Sequence, residues 1–229
     1  MTIAIHQPKF LPYIGYWQLI NSVETFVILD DVNFVKKAYI NHNFILIDEK
    51  LHKFSLELKS ASQNKLINQI EIGKNSLKIL KTIELNYKKK PYFKKVFPIL
   101  EDIFSYKEKN LAKFIGHSLE KICNYCEIKT NLVYSSTINK NNNLKAQNKI
   151  IEICQKLNIK NYIQVIGGKD LYDKNKFIKK NINISFLDTK IKKYNQSKYN
   201  FTSHLSIIDI MMHNSKDVIN DMLNNYKLI

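Results

Sequence analysis

Three short polar stretches carry the residue types that acid–base and group-transfer chemistry needs. Ile3-Ala4-Ile5 runs into His6-Gln7-Pro8, Phe26-Val27-Ile28-Leu29 into Asp30-Asp31, and Tyr162 to Ile166 into Gly167-Gly168-Lys169-Asp170. Histidine titrates nearest neutrality, so His6 is the candidate general base. Asp30 or Asp31 would orient that imidazole or bind an amine. Lys36, Lys37 and Lys169 would hold a phosphate or carboxylate as point charges. Asn41, Asn43 and the backbone N–H groups of Gly167 and Gly168 would contact a carbonyl or sugar, as stabilising an oxyanion requires. Gln7 sits at the same edge, and Tyr13 and Tyr16 would stack on a base or sugar. His204 either caps the helix after it or enters the site.

Each residue also has a plainer reading. His6 could bond only a backbone carbonyl, and the aspartates could cap a turn. The glycines could serve a turn needing positive φ. Trp17 reads as core. Asp209 lies inside an apolar helix and either pairs with a lysine or reaches the site.

What would bring the three stretches together is their place at strand ends. Ile3–His6, Phe26–Leu29, Phe44–Ile47, Phe54–Leu58, Tyr162–Ile166 and Ile182–Leu187 read as strands, the last of these closing the strand set. Helical periodicity covers 13–22, 76–87, 91–106, 110–125, 144–157, 205–213 and 216–226. Pro98 falls inside the 91–106 segment, where a kink or break is expected. Short apolar strands suit a sheet buried on both faces. The expectation is a single α/β domain over 1–229: a mostly parallel, Rossmann-like three-layer sheet with a helical insertion or cap at 75–126. In an open parallel sheet the ligand lies beyond the carboxyl ends of the strands. His6, Asp30-Asp31 and Gly167-Gly168 should therefore face one crevice.

Composition narrows the function classes. The formal charge is +16, and all 36 basic residues are lysine. A chain with no arginine cannot make bidentate arginine–guanine contacts, which argues against sequence-specific nucleic-acid reading. A basic cleft for a phosphorylated small molecule is the better account. Cys123-Asn-Tyr-Cys126 has no second pair to complete a zinc site, so no metal is expected and the thiols read as buried and reduced. No apolar stretch approaches the roughly 20 residues of a membrane span. No basic-then-apolar leader opens the chain, so a cytoplasmic location is expected.

The motifs "IHQPKFLPYIGYWQLI", "FVILDDVNFVKKAYINHN" and "SHLSIIDIMMHNS" together resemble the WbqC-like proteins. Those commonly begin I-H-Q-P-x-x-x-P-W-x-G-Y, continue L-D-D-V-Q-F-x-K-R-x-W-x-N-R-N and end in an L-S-I-I-D segment. The resemblance reaches from Ile3 to Ser215 and covers His6, Gln7, Pro8, Pro12, Gly15, Tyr16, Asp30, Asp31, Phe34, Lys36, Asn41, Asn43, Ser206 and Asp209. Tyr13 stands for the usual Trp, Asn33 for Gln, Lys37 for Arg and His42 for Arg. The resemblance implies a role in cell-surface polysaccharide or O-antigen synthesis, as a transferase placing an acyl or aminoacyl group, glycyl for example, on a nucleotide-linked amino sugar. Tyr13-Ile-Gly-Tyr16 is also similar to the H-x-G-H loop of nucleotidyltransferases and pantothenate-synthetase-like enzymes, with both histidines replaced by tyrosine.

Three rival classes follow. An ATP-dependent ligase would form an acyl-adenylate and need ATP and Mg²⁺. A sugar-nucleotide-binding protein would bind without turnover. An RNA-binding or aminoacyl-tRNA-using protein would show salt-dependent RNA affinity. No cofactor is identified from the sequence, and the acyl donor is left open.

Overall fold

The computed structural model describes residues 1–196 and 200–229. Its centre is β1 (Thr2–His6), whose side chains alternate between two separate cores. Ala4 points into one core, and Ile3 and Ile5 into the other, as the two-residue period of a strand requires. Eight-residue α1 (Ile14–Asn21) returns the chain to β2 (Thr25–Ile28), which pairs parallel with β1.

A long excursion then leaves the sheet. It contains the antiparallel hairpin β3 (His42–Ile47) and β4 (Lys50–Ser55), and the short pair β5 (Leu58–Lys59) and β6 (Glu71–Ile72). Three helices follow: α2 (Ser76–Tyr87), α3 (Phe93–Ser105) and α4 (Leu111–Tyr125). They share the core that also takes in α1, through Ile83, Leu100 and Phe114. α3 continues through Pro98, so of the expected kink or break the break does not occur. The proline is in the second turn, so its missing N–H leaves only the exposed Lys94 carbonyl without its i+4 donor, and water can serve that group.

The chain re-enters the sheet at β7 (Asn131–Tyr134), parallel to β2. α5 (Ala146–Lys156) crosses the opposite face to β8 (Asn161–Val165), which pairs parallel with β1 on its other side. α6 (Lys174–Ile178) leads to β9 (Asn183–Thr189), parallel to β8. α7 (Ile207–His213) and α8 (Lys216–Leu223) close the first core, and β10 (Tyr226–Leu228) adds an antiparallel edge.

The six-stranded order is β10-β9-β8-β1-β2-β7. Five strands are parallel, and successive strands step away from β1 in opposite directions before and after β7. Ile150, Ile153, Cys154 and Phe177 from α5 and α6 cover one face of the sheet; α1, α4, α7 and α8 cover the other. The expected last helix, 216–226, ends at Leu223, because Tyr226–Leu228 takes up ladder bonds on the edge of β9. The strand set therefore closes with β10 rather than at Leu187. Among the described residues no helix is long and apolar enough to cross a membrane.

Candidate functional site

The carboxyl ends of β1, β2 and β8 lie side by side, and β1 and β8 flank the point where the strand order reverses. The loop from Gln7 to Tyr13 leaves β1 at this edge. It has no regular structure, yet distant groups clamp it. Asn43 Nδ2 donates to the carbonyls of Phe10 (3.2 Å) and Leu11 (2.8 Å). Ser206 Oγ also donates to Leu11 O at 2.8 Å, and Ile207 N and Trp17 Nε1 both donate to Pro12 O at 3.0 Å. Residues far apart in the sequence thus hold the loop in one shape. Buried carbonyls left unpaired would each cost about 1–3 kcal/mol.

Against this loop lies a cavity of about 250 Å³ lined by Lys9, Pro12, Tyr13, Tyr39, Asn43 and His204. Tyr13 and His204 pack with ring centroids 5.2 Å apart, and Tyr39 stacks on His42 at 5.0 Å. Leu11 beside it, Tyr39 and His204 all have left-handed backbones, with φ of 45°, 59° and 62°. That conformation is costly for residues with a Cβ and gathers at sites where a scaffold forces a particular shape. Lys9 makes no ion pair with any described carboxylate, and burial lowers its pKa below the usual lysine range. Its ammonium lies 6.0 Å from the centre of the Tyr16 ring.

His6 lies behind this wall, half-buried, with its ring edge-on to Tyr16 at 5.3 Å. Its Nδ1 is 3.1 Å from the Gln7 carbonyl. Donation to that oxygen fixes the tautomer that leaves a lone pair on Nε2. Burial first, and the nearby Lys9 charge second, bring its pKa down to about 4, against a weaker upward pull from the Gln7 hydrogen bond. His6 is therefore neutral at pH 7. Tyr16 is fully buried and donates its hydroxyl to Gln7 O at 2.9 Å; burial raises its pKa well above the usual value.

The other sequence candidates separate into distinct surroundings. Asp30 accepts from Ser136 N (2.9 Å), Ser136 Oγ (2.6 Å) and Asn68 Nδ2 (3.4 Å), and faces a different cavity of about 370 Å³. Asp31 turns to two buried lysines: its Oδ2 lies 2.7 Å from Lys140 Nζ and 3.0 Å from Lys149 Nζ. Burial pushes the Asp31 pKa up, but Lys140, Ser135 and Lys149 outweigh it and hold the carboxyl below its ordinary value. Neither carboxylate hydrogen-bonds His6. Lys36 and Lys37 are exposed on the segment before β3, and Lys169 is exposed after β8. Asn41 holds β4, donating to Leu56 O at 2.9 Å. Gly167 and Gly168 lie in a 3₁₀ turn with negative φ, so they do not serve a left-handed turn. Trp17 is fully buried core. Ser206 caps α7, leaving His204 to line the cavity. The carboxylate of Asp209 pairs with tyrosines and a glutamine rather than with a lysine.

Lys9 and Tyr39 escape a reading of the sequence. The pairing of the Phe10 amide with the Tyr39 carbonyl (3.3 Å), together with the Asn43 clamp on Phe10 and Leu11, folds the second segment over the first. The three cysteines are buried and free, and burial raises each thiol to about 12. Among the described residues no group of three His, Cys, Asp or Glu side chains could hold a metal ion.

Gly15 sets the position of Tyr13. A Cβ there would lie 2.5 Å from both Thr189 Oγ1 and Tyr13 Oη. Gly15→Ala is expected to destabilise the fold by about 1–3 kcal/mol and to push Tyr13 into the cavity. Urea unfolding checks the first effect; a stability within about 0.5 kcal/mol of wild type, the range of a neutral surface change, would refute it.

These features define a mostly parallel α/β protein with a small lysine-bearing, aromatic-walled cavity beyond its central strand. The chain matches the family described as the WbqC-like protein family over residues 7–221 and belongs to it. It is similar to Rv1507c of Mycobacterium tuberculosis, an uncharacterised protein, at 24% identity over 216 residues, covering 92% of this chain and 93% of that one. No solved structure matches.

Proposed function

We propose that this protein is an acyl- or aminoacyltransferase that places its group, glycyl for example, on the amine of a nucleotide-linked amino sugar during surface-polysaccharide synthesis. The observation that carries the reading is the Lys9 ammonium, desolvated and without a described carboxylate partner, in an aromatic-walled cavity next to a neutral imidazole. The ammonium suits a substrate phosphate or carboxylate. Tyr13, Tyr39 and His204 suit a sugar or base ring. The strand order, reversing between β1 and β8, supports a Rossmann-like sheet with a nucleotide at its switch point.

In the reaction the neutral amine attacks the acyl carbonyl, the new C–N bond forms and the bond to the carrier breaks. The proton lost by the amine passes through His6 Nε2 to the departing carrier atom. A base of pKa about 4 is poorly matched to that task. An anionic substrate on Lys9 shifts the imidazole back toward protonation by offsetting the Lys9 charge, the smaller of the two causes that lower its pKa; the larger, burial, remains.

The test is a thermal-shift screen of nucleotide-linked amino sugars and acyl donors, followed by product analysis. A ligand at about 100 times its dissociation constant adds roughly 2.7 kcal/mol. With a substrate in hand, His6→Ala is expected to lower kcat by about 10² or more while the protein stays folded. Unchanged turnover removes His6 from the reaction. AMP release would instead mark the ATP-dependent ligase, and binding without turnover would mark a sugar-nucleotide carrier. The transfer reading also admits aminoacyl-tRNA as donor.

A further inference from the structure

A third cavity, of about 310 Å³, lies at the other end of α7 and plays no part in the reading above. Its wall includes Asp209 and His213, one helical turn apart. Asp209 is almost completely buried, and its carboxylate accepts from Tyr87 Oη (2.7 Å), Tyr194 Oη (2.6 Å) and Gln196 Nε2 (2.9 Å). Three donors, one on Oδ1 and two on Oδ2, fill three of its roughly four acceptor sites and fix its orientation. His213 Nδ1 lies 2.7 Å from the Asp209 carbonyl and 3.6 Å from its carboxylate Oδ2. Nδ1–H is therefore the donor, and in the neutral ring Nε2 carries the lone pair.

That Nε2 has no hydrogen-bond partner among the described residues, and the His213 side chain is only 6% exposed. A buried acceptor without a donor is unfavourable, and here it belongs to a ring in a cavity wall. The same wall carries Asp48 and Glu49 from the β3–β4 turn and a single ammonium, Lys90. Three carboxylates face one lysine, so the cavity favours a cation. Its volume is at the small end for ligand pockets and has room for one sugar-sized molecule.

We infer that this cavity is a second ligand site, in which His213 Nε2 accepts a hydrogen bond from a small, polar, amine-bearing polyol, with Asp48 and Glu49 holding the ammonium. The inference stands independently of the transferase reading, because it uses neither Lys9 nor His6.

Glucosamine is a suitable probe, with glucose as the control lacking the amine. In the full chain labelled with ¹⁵N-histidine, the His213 Nε2 resonance is expected to move on titration with glucosamine and not with glucose. By calorimetry, His213→Phe should weaken glucosamine binding at least tenfold, while Lys9→Met leaves it unchanged. His213→Gln, which keeps a polar group in the ring's place, provides a second variant should the phenylalanine protein not fold. A stationary His213 resonance, an equal response to glucose, or binding lost in Lys9→Met but kept in the His213 variants overturns the inference. The last outcome would move the amine to the first cavity and leave the transferase reading intact.

Discussion

Asp31→Ala is expected to destabilise the protein by about 3–5 kcal/mol, the cost of stranding charge in an interior. The Lys140 and Lys149 side chains are 1% and 6% exposed, and Asp31 is the carboxylate both reach. Lys140 also donates to Ser135 O, and Lys149 to Asp31 O at 2.7 Å, so the ammonium groups are held in place by backbone as well. Removing the carboxylate leaves two buried cations facing only carbonyl dipoles. The trio ties the end of β2 to the chain beyond β7 and to α5, across the sheet edge. For a domain of this size each kcal/mol lowers the melting temperature by roughly 2–4 °C, so a fall of roughly 6–20 °C is expected. Replacing all three residues with apolar ones of similar volume should cost less than Asp31→Ala alone, since no charge is then left unpaired. A loss below about 1 kcal/mol, the value of a surface pair, would show that the trio is hydrated and not structural. Any activity measured on an Asp31 variant has to be read after its stability is known.

Acidification should remove about 3 kcal/mol of stability through His6 alone. Its pKa is about 4 when folded and 6.5 for the free side chain. Between those values the unfolded chain binds a proton that the folded chain refuses. The contribution is therefore fully present above pH 6.5 and is lost as pH falls toward 4. His42, whose pKa is also lowered by burial and then by Lys53, adds in the same direction. The contribution of His6 is isolated by comparing wild type with His6→Asn, which retains an amide donor for the Gln7 carbonyl. Urea unfolding at pH 7.5 and pH 4.5 should show a clearly smaller acid loss in the variant; equal losses would mean that His6 is open to water. The same measurement bears on the proposed chemistry. An anionic ligand that neutralises Lys9 should reduce the acid loss in wild type and leave the variant unaffected.

Four of the six sheet strands, β1, β2, β8 and β9, were legible because they are short apolar runs with polar ends; β7 was not among the expected strands, and Phe44–Ile47 and Phe54–Leu58 pair in a hairpin outside the sheet. Ile3–His6, Phe26–Leu29 and Tyr162–Ile166 each fall within a residue or so of β1, β2 and β8. A two-residue alternation or a continuous apolar run is a local property, and so is the 3.6-residue period of α2, α4 and α5. The edge strand β10 was not legible. Tyr226-Lys-Leu228 has no strand pattern of its own and takes its conformation from β9. The unbroken path of α3 through Pro98 was equally hidden, since it depends on where that carbonyl meets solvent.

For the site, the sequence by itself determined that imidazole, carboxylates and glycines each end an apolar strand; that these strands are neighbours was decided by the tertiary structure. Nor could the sequence determine where each side chain turns. Successive residues on a chain leaving a strand point to opposite sides, so Asp30 and Asp31 went to Ser136 and to two lysines while His6 stayed beneath Tyr16. Lys9, Tyr39 and His204 come from three separate loops, and only the clamps from Asn43 and Ser206 bring them to one cavity. Periodicity reports burial along one segment. The meeting of loops is decided by hydrogen bonds between residues more than thirty, and nearly two hundred, positions apart, and no local pattern encodes those.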